Sequence, residues 1–92
     1  MFNFDLTDEL RAILYKLARR DKKKFETINK KIKEIISNDI DTIDRYKNLR
    51  YDMPDKKRVH IDKSFVLIFR VYKNKNFILF LDFDHHDNIY RN

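Results

Sequence analysis

Glycine is missing from all 92 residues, cysteine is missing too, and proline occurs once. Without glycine, turns that need a left-handed backbone fall to Asn, Asp, Ser and Lys, which tolerate less of that region. Without cysteine there is no disulfide framework, no thiolate zinc site and no cysteine nucleophile, which fits a reducing compartment. No apolar run approaches the roughly 20 residues of a membrane span. The N-terminal MFNFDLTDELRAI carries acids where a secretion signal would carry bases. A soluble, cytoplasmic protein with no membrane partner is therefore expected. A chain this short reads as one domain, residues 1–92, that buries only about two-thirds of the surface its unfolded form exposes. That disfavours a large internal cavity for a metabolite and points to a surface groove or concave sheet face, suited to a polymer or a protein partner.

What the chain has in quantity is charge. Lys and Arg number 21 against 15 Asp and Glu, a net +6, enough to favour polyanions or an acidic partner. An AT-rich coding bias toward Lys, Ile and Asn produces the same total, so the placement of the cations carries more information than their number.

Periodicity divides the chain into elements. Phe2, Phe4 and Leu6 alternate with Asn3 and Asp5 as in a short half-buried strand. Thr7 offers an N-cap, Asp8 and Glu9 suit a helix N-terminus, and Leu10, Ile13, Leu14, Leu17 and Ala18 form one apolar stripe. Asp21 can cap a second helix with the stripe Phe25, Ile28, Ile32, Ile35 and Ile36. The short joint predicts an antiparallel pair packed stripe to stripe, or two stripes laid on a sheet. Lys22, Lys23 and Lys24, in the first turn of that helix, read as a solvated face. From Asp39 to Pro54 the pattern fails and a loop with one irregular turn is expected. Three strand-like runs follow, Lys57 to Ile61, Phe65 to Tyr72 and Phe77 to Phe83, with joints short enough for hairpins. In the middle run Phe65, Leu67, Phe69 and Val71 should meet the helices, while Val66, Ile68, Arg70 and Tyr72 form a less covered face. The expected fold class is α+β, in the order β-α-α-β-β-β, with two N-terminal helices on one face of a mostly antiparallel sheet.

Two stretches carry candidate chemistry. Between Arg45 and Lys63 lie Arg45, Lys47, Arg50, Lys56, Lys57, Arg58 and Lys63, interleaved with Tyr46, Tyr51 and His60. Cations mixed with flat rings can neutralise phosphates and stack on unpaired bases, although Asp52, Asp55 and Asp62 dilute the patch. Strand alternation turns Val59 and Ile61 to the core and Arg58 and His60 away from it, toward the side where Arg70 would stand. The second stretch is the DFDHHDNIY tail. Asp82, Asp84, His85 and His86 could in principle ligate a divalent metal, but consecutive histidines on extended chain point opposite ways and the spacing fits no metal motif. A charged chain end, or acid–base chemistry by a histidine held beside carboxylates and Tyr90, are the other readings.

The element order, together with KNLRYDMPDKKRVHI, SFVLIFRVYKNKNFILFL and the closing HHDNIY, resembles the RelE/ParE toxin superfamily over nearly the whole chain. The ending is the most specific part, where that family often shows a His-Arg-Lys-Asp-Val-Tyr-like string. The resemblance implies the toxin of a type II toxin–antitoxin pair with a RelE-like fold. It implies a ribosome-dependent mRNA endoribonuclease that needs no metal or other cofactor. In that chemistry the 2′-hydroxyl attacks the adjacent phosphate, basic side chains stabilise charge and a positively charged acid protonates the leaving 5′-oxygen. By position, the resemblance assigns catalysis to Arg58, His60, His85, His86 and Tyr90. Arg50, Lys56, Lys57, Lys63 and Arg70 become the RNA-binding set. The partners implied are the ribosome, mRNA and a RelB-like antitoxin. Two positions depart from the pattern: His86 stands at the closing arginine, and Val66 where an arginine of the middle strand is common. Arg70 lies roughly 13 Å further along the strand, so phosphate binding would fall to Arg58, Lys56 or Arg50. The alternatives are a ParE-like toxin that inhibits DNA gyrase by binding, and a decayed toxin that keeps only antitoxin binding.

Overall fold

A computed structural model describes residues 1–90. Strand β1 (Asn3–Leu6) leads into helices α1 (Asp8–Arg20) and α2 (Lys22–Ile36); β2 (Lys56–Ile61), β3 (Phe65–Tyr72) and β4 (Phe77–His85) follow, and a one-turn helix α3 (His86–Ile89) ends the described chain. The sheet order is β1-β4-β3-β2, antiparallel except for the parallel β1–β4 pair. This is the expected α+β arrangement with both helices on one face.

Local chemistry fixes the helix ends. Thr7 Oγ1 accepts from Leu10 N at 3.1 Å, and the same hydroxyl donates to Leu81 O at 2.7 Å, so the cap also ties α1 to β4. Asp21 is a one-residue joint: its N–H donates to Leu17 O at 2.8 Å and its carboxylate accepts from Lys24 N at 3.1 Å. Two stripes, Leu10 and Leu14 on α1 and Ile28, Ile32, Ile35 and Ile36 on α2, share one core with Leu67, Phe69, Val71, Ile78, Phe80 and Phe83. The stripes therefore lie on the sheet. Lys24 does not stand in solvent as expected: its Nζ sits 4.0 Å from the centre of the Phe65 ring.

Turns without glycine fall where the sequence requires. Asp62 in the β2–β3 turn (φ 56°) and Asn76 before β4 (φ 49°) occupy the left-handed region, and among L-residues Asn and Asp enter it at least cost. A one-residue register shift in the β3–β4 ladder, at Ile68/Phe69, lets Phe80 and Phe83 both reach the core although they are three apart.

The stretch expected as a loop is better anchored than its sequence suggests. A 3₁₀ turn at Ile43–Arg45 buries Ile43 completely, and Tyr46 packs edge-on to Phe69 with ring centres 5.7 Å apart. Lys47 to Leu49 then lies along the edge of β2: Arg58 N donates to Lys47 O at 3.0 Å and Leu49 N to Lys56 O at 2.8 Å. The β2 edge of the sheet is thereby covered at this end.

Candidate functional site

The face of the sheet turned away from the helices is built by strand register. His60, Val66 and Asp84 lie in one cross-strand row, and Arg58, Ile68 and Asp82 in the next; Lys56 and Arg70 pair in a third. The outer strands of a row are about 10 Å apart, so each apolar floor residue has a basic or imidazole side chain on one flank and a carboxylate on the other. This face was expected to be thinly covered, yet Val66 is 0% exposed and Ile68 is also buried. The cover is α3, which folds back over this end of the sheet. His86 N donates to Ser64 O at 2.6 Å. The His86 ring stacks on His60 (centres 5.6 Å, planes 26° apart) and meets Tyr90 at 4.7 Å, while the Arg58 guanidinium lies 5.9 Å over the Tyr90 ring.

Four of the expected catalytic residues, Arg58, His60, His86 and Tyr90, thus meet in one cluster. His85 does not join them. It caps α3, its Nδ1 accepting from Asp87 N at 3.2 Å, and its ring meets Phe65 edge-on at 5.5 Å on the helix side of the sheet. The two histidines part because β4 ends at His85, on its helix-side face, and His86 opens α3, which turns over the opposite face. Among the described residues no three His, Asp or Glu converge as a metal-binding group.

The cluster has one unsatisfied group. Tyr90 Oη is buried and has no hydrogen-bond partner among the described residues. A buried hydroxyl without a partner costs on the order of 1–3 kcal/mol, an arrangement that makes sense when a ligand oxygen completes it. Arg58 is held by its Nε, which donates to Asn48 O at 3.3 Å.

The expected RNA-binding residues separate. Lys56 and Arg70 are on the outer face, half-buried, with Arg70 Nε 3.4 Å from Asp55 but outside hydrogen-bond geometry. Arg50 and Lys63 are exposed, in the loop and in the β2–β3 turn. Lys57 is a correction: it is 3% exposed, points to the core side, and its ammonium meets Asn48 Oδ1 (3.0 Å), Tyr46 O (3.3 Å) and Asp44 Oδ1 (3.3 Å). A cation so surrounded fastens the loop and is closed to phosphate. Asp44 also binds Lys73; these lysines, Lys73 first, hold its carboxyl below the usual range. Tyr46 donates to Glu34 at 2.6 Å, which lowers the Glu34 pKa, while burial and that carboxylate raise the Tyr46 pKa. Sequence reasoning missed this clip. Its one legible signal was Ile43 and Tyr46 at i, i+3 inside a polar stretch.

Against known proteins, the chain is 52% identical over 91 residues (99% of this chain, 93% of the relative) to a protein of Methanocaldococcus jannaschii named as a toxin, RelE4. Two solved structures share the fold at 19% identity: isolated RelE toxin of E. coli (TM-score 0.73, covering 92% of this chain and 84% of that one) and the toxin in the intact E. coli RelBE toxin–antitoxin complex (TM-score 0.71, 90% and 94%). No protein-family model matches the sequence.

Proposed function

The chain belongs to the RelE-like toxin family, and on that premise we propose that it is a ribosome-dependent endoribonuclease that cuts mRNA by metal-independent attack of a 2′-hydroxyl. The observation that carries this reading is the cluster on the outer face: a guanidinium, two stacked imidazoles and a tyrosine whose hydroxyl has no partner among the described residues, in contact ring to ring.

The chemistry follows from those groups. One of the His60/His86 imidazoles, neutral, takes the 2′-hydroxyl proton as the O2′–P bond forms; the other, protonated, gives its proton to the 5′-oxygen as the P–O5′ bond breaks. The products are a 2′,3′-cyclic phosphate and a 5′-hydroxyl end. Arg58 pairs with non-bridging phosphate oxygens as their charge grows, and Tyr90 Oη donates to the same group. With Val66 buried beneath the cluster, Arg58 takes the place of an arginine on β3, assisted by Lys56 on the same strand and by Arg50 in the loop before it. The partners are the ribosome, a translated message and a RelB-like antitoxin. The +6 charge suits an acidic antitoxin, and the E. coli neighbour is found in a toxin–antitoxin complex.

The test is induced expression with primer extension on a translated message and on the same message lacking its start codon. Cuts confined to the translated copy support the reading. Growth arrest with intact mRNA and broken DNA overturns it in favour of gyrase binding, a second reading that the absence of a cation at Val66 favours.

A further inference from the structure

Beside the catalytic cluster runs an open cleft of about 1050 Å³, bounded by the 44–55 loop, β2 and the end of β3. Of its lining, the catalytic steps above use Arg58 alone. Its lining joins three tyrosines, Tyr46, Tyr51 and Tyr72, to the cations Lys47, Lys57, Arg58 and Lys73. The two carboxylates in the wall are already engaged, Asp44 by Lys57 and Lys73, and Asp55 by Arg70. Lys47 and Arg58 make no ion pair among the described residues. Tyr51 is the extreme case: 97% exposed, its ring stands in water at the cleft. Tyr72 is half-buried against Phe77, and Lys75 Nζ lies 5.9 Å from its ring centre.

The cleft shares Arg58 with the cluster. Arg58 lines it and also lines a smaller groove with Lys47, Val59 and His60, so a strand whose phosphate meets Arg58 has a path into the cleft without leaving protein.

We propose that this cleft holds the unpaired nucleotides on one side of the scissile phosphate, one base stacked on Tyr51 and another on Tyr72, with Lys47 against the backbone. The inference rests on the RNA-cleaving reading and extends it to the substrate path. A flat, fully solvated ring beside unpaired cations is the combination that binds single strands without regard to sequence, because every base offers a π-face. A peptide partner would be gripped through enclosed side-chain pockets, whereas Tyr51, almost wholly exposed, offers the cleft an open ring face.

The probe is a fluorescent 2′-O-methyl 12-mer, which cannot be cleaved by 2′-hydroxyl attack, titrated against the full chain at two salt concentrations. Loss of one stacked base weakens binding roughly 5- to 150-fold, so Tyr51→Ala and Tyr72→Leu should each fall in that range. An oligonucleotide of abasic sites should bind the parent weakly and show no tyrosine dependence. Lys47→Gln should weaken both probes and lower the salt slope by about 1. Unchanged 12-mer affinity in Tyr51→Ala and Tyr72→Leu overturns the proposal, as does failure of the parent to bind. So does a loss of antitoxin binding with RNA affinity intact, which would hand the cleft to a protein. Failure of the catalytic reading is separate: it is read from His86→Ala and Tyr90→Phe in the cleavage assay, neither of which touches the stacking residues.

Discussion

Two pairs of sequence neighbours, Lys57 and Arg58 on β2 and His85 and His86 at the junction of β4 and α3, carry like side chains to unlike ends. Lys57 and His85 fall on the helix side, where one fastens the 44–55 loop through Asp44 and Asn48 and the other caps α3 and packs on Phe65. Arg58 and His86 fall on the other side and meet around Tyr90. A single residue step separates a structural cation from a candidate catalytic one. Residue type alone therefore assigns nothing here; the pleat does so on β2, and the turn from β4 into α3 does so for the histidines.

The largest effect should appear within the histidine pair. His86→Ala is expected to reduce mRNA cleavage by 10²- to 10⁴-fold, the range for loss of a positioned acid or base, whereas His85→Ala should retain cleavage within a few-fold. Equal losses in the two variants would erase the distinction between the faces.

The lysine–arginine pair should separate on two different instruments. Lys57→Met strands buried acceptors and frees the loop, which should cost about 2 kcal/mol and lower the melting temperature by about 10 °C. Arg58→Met should melt within a few degrees of the parent but cleave poorly. If Lys57→Met proved as stable as the parent, the ammonium would not be holding the loop.

The pattern-bearing parts of this fold were readable from sequence, and the reason is periodicity. Leu10 and Leu14, then Ile28, Ile32 and Ile35, repeat at the helical interval, and Leu67, Phe69 and Val71 at the strand interval, so each face declares itself before any contact is known. Arg58 and His60 were oriented by the same logic, because Val59 and Ile61 had to look inward. Lys57 escaped it: alternation placed it inward too, but nothing local announces the oxygens of Asp44, Tyr46 and Asn48 that make a buried lysine tolerable. These partners lie about ten residues earlier in an aperiodic stretch. The turn of α3 was also hidden, being too short for a stripe. Its position over Val66 depends on a backbone hydrogen bond to Ser64 and on the stacking of His86 on His60, contacts formed only once β2, β3 and β4 are paired.

The smallest effect concerns the loop clip and acid. Glu34 and Asp44 both have pKa values lowered in the folded chain, Glu34 chiefly by the Tyr46 hydroxyl and Asp44 chiefly by Lys73. A lowered folded pKa means that the unfolded chain binds protons first as pH falls. The stability these groups contribute is therefore complete above their usual values, 4.5 and 3.8, and is lost as pH drops through the lower folded values. Glu34→Gln still accepts from Tyr46 but no longer titrates, so it should cost about 0.5 kcal/mol at neutral pH and flatten the fall in melting temperature below about pH 4.5. Because the clip spaces the loop from β2, the same acidification should loosen Asn48 and with it the seat of Arg58. Hydrogen exchange at Leu49 N and Arg58 N, followed from pH 6 to 3.5, would show whether the two amides open together in the parent and later in Glu34→Gln. Amides that opened independently would separate the structural side of the sheet from the candidate catalytic one.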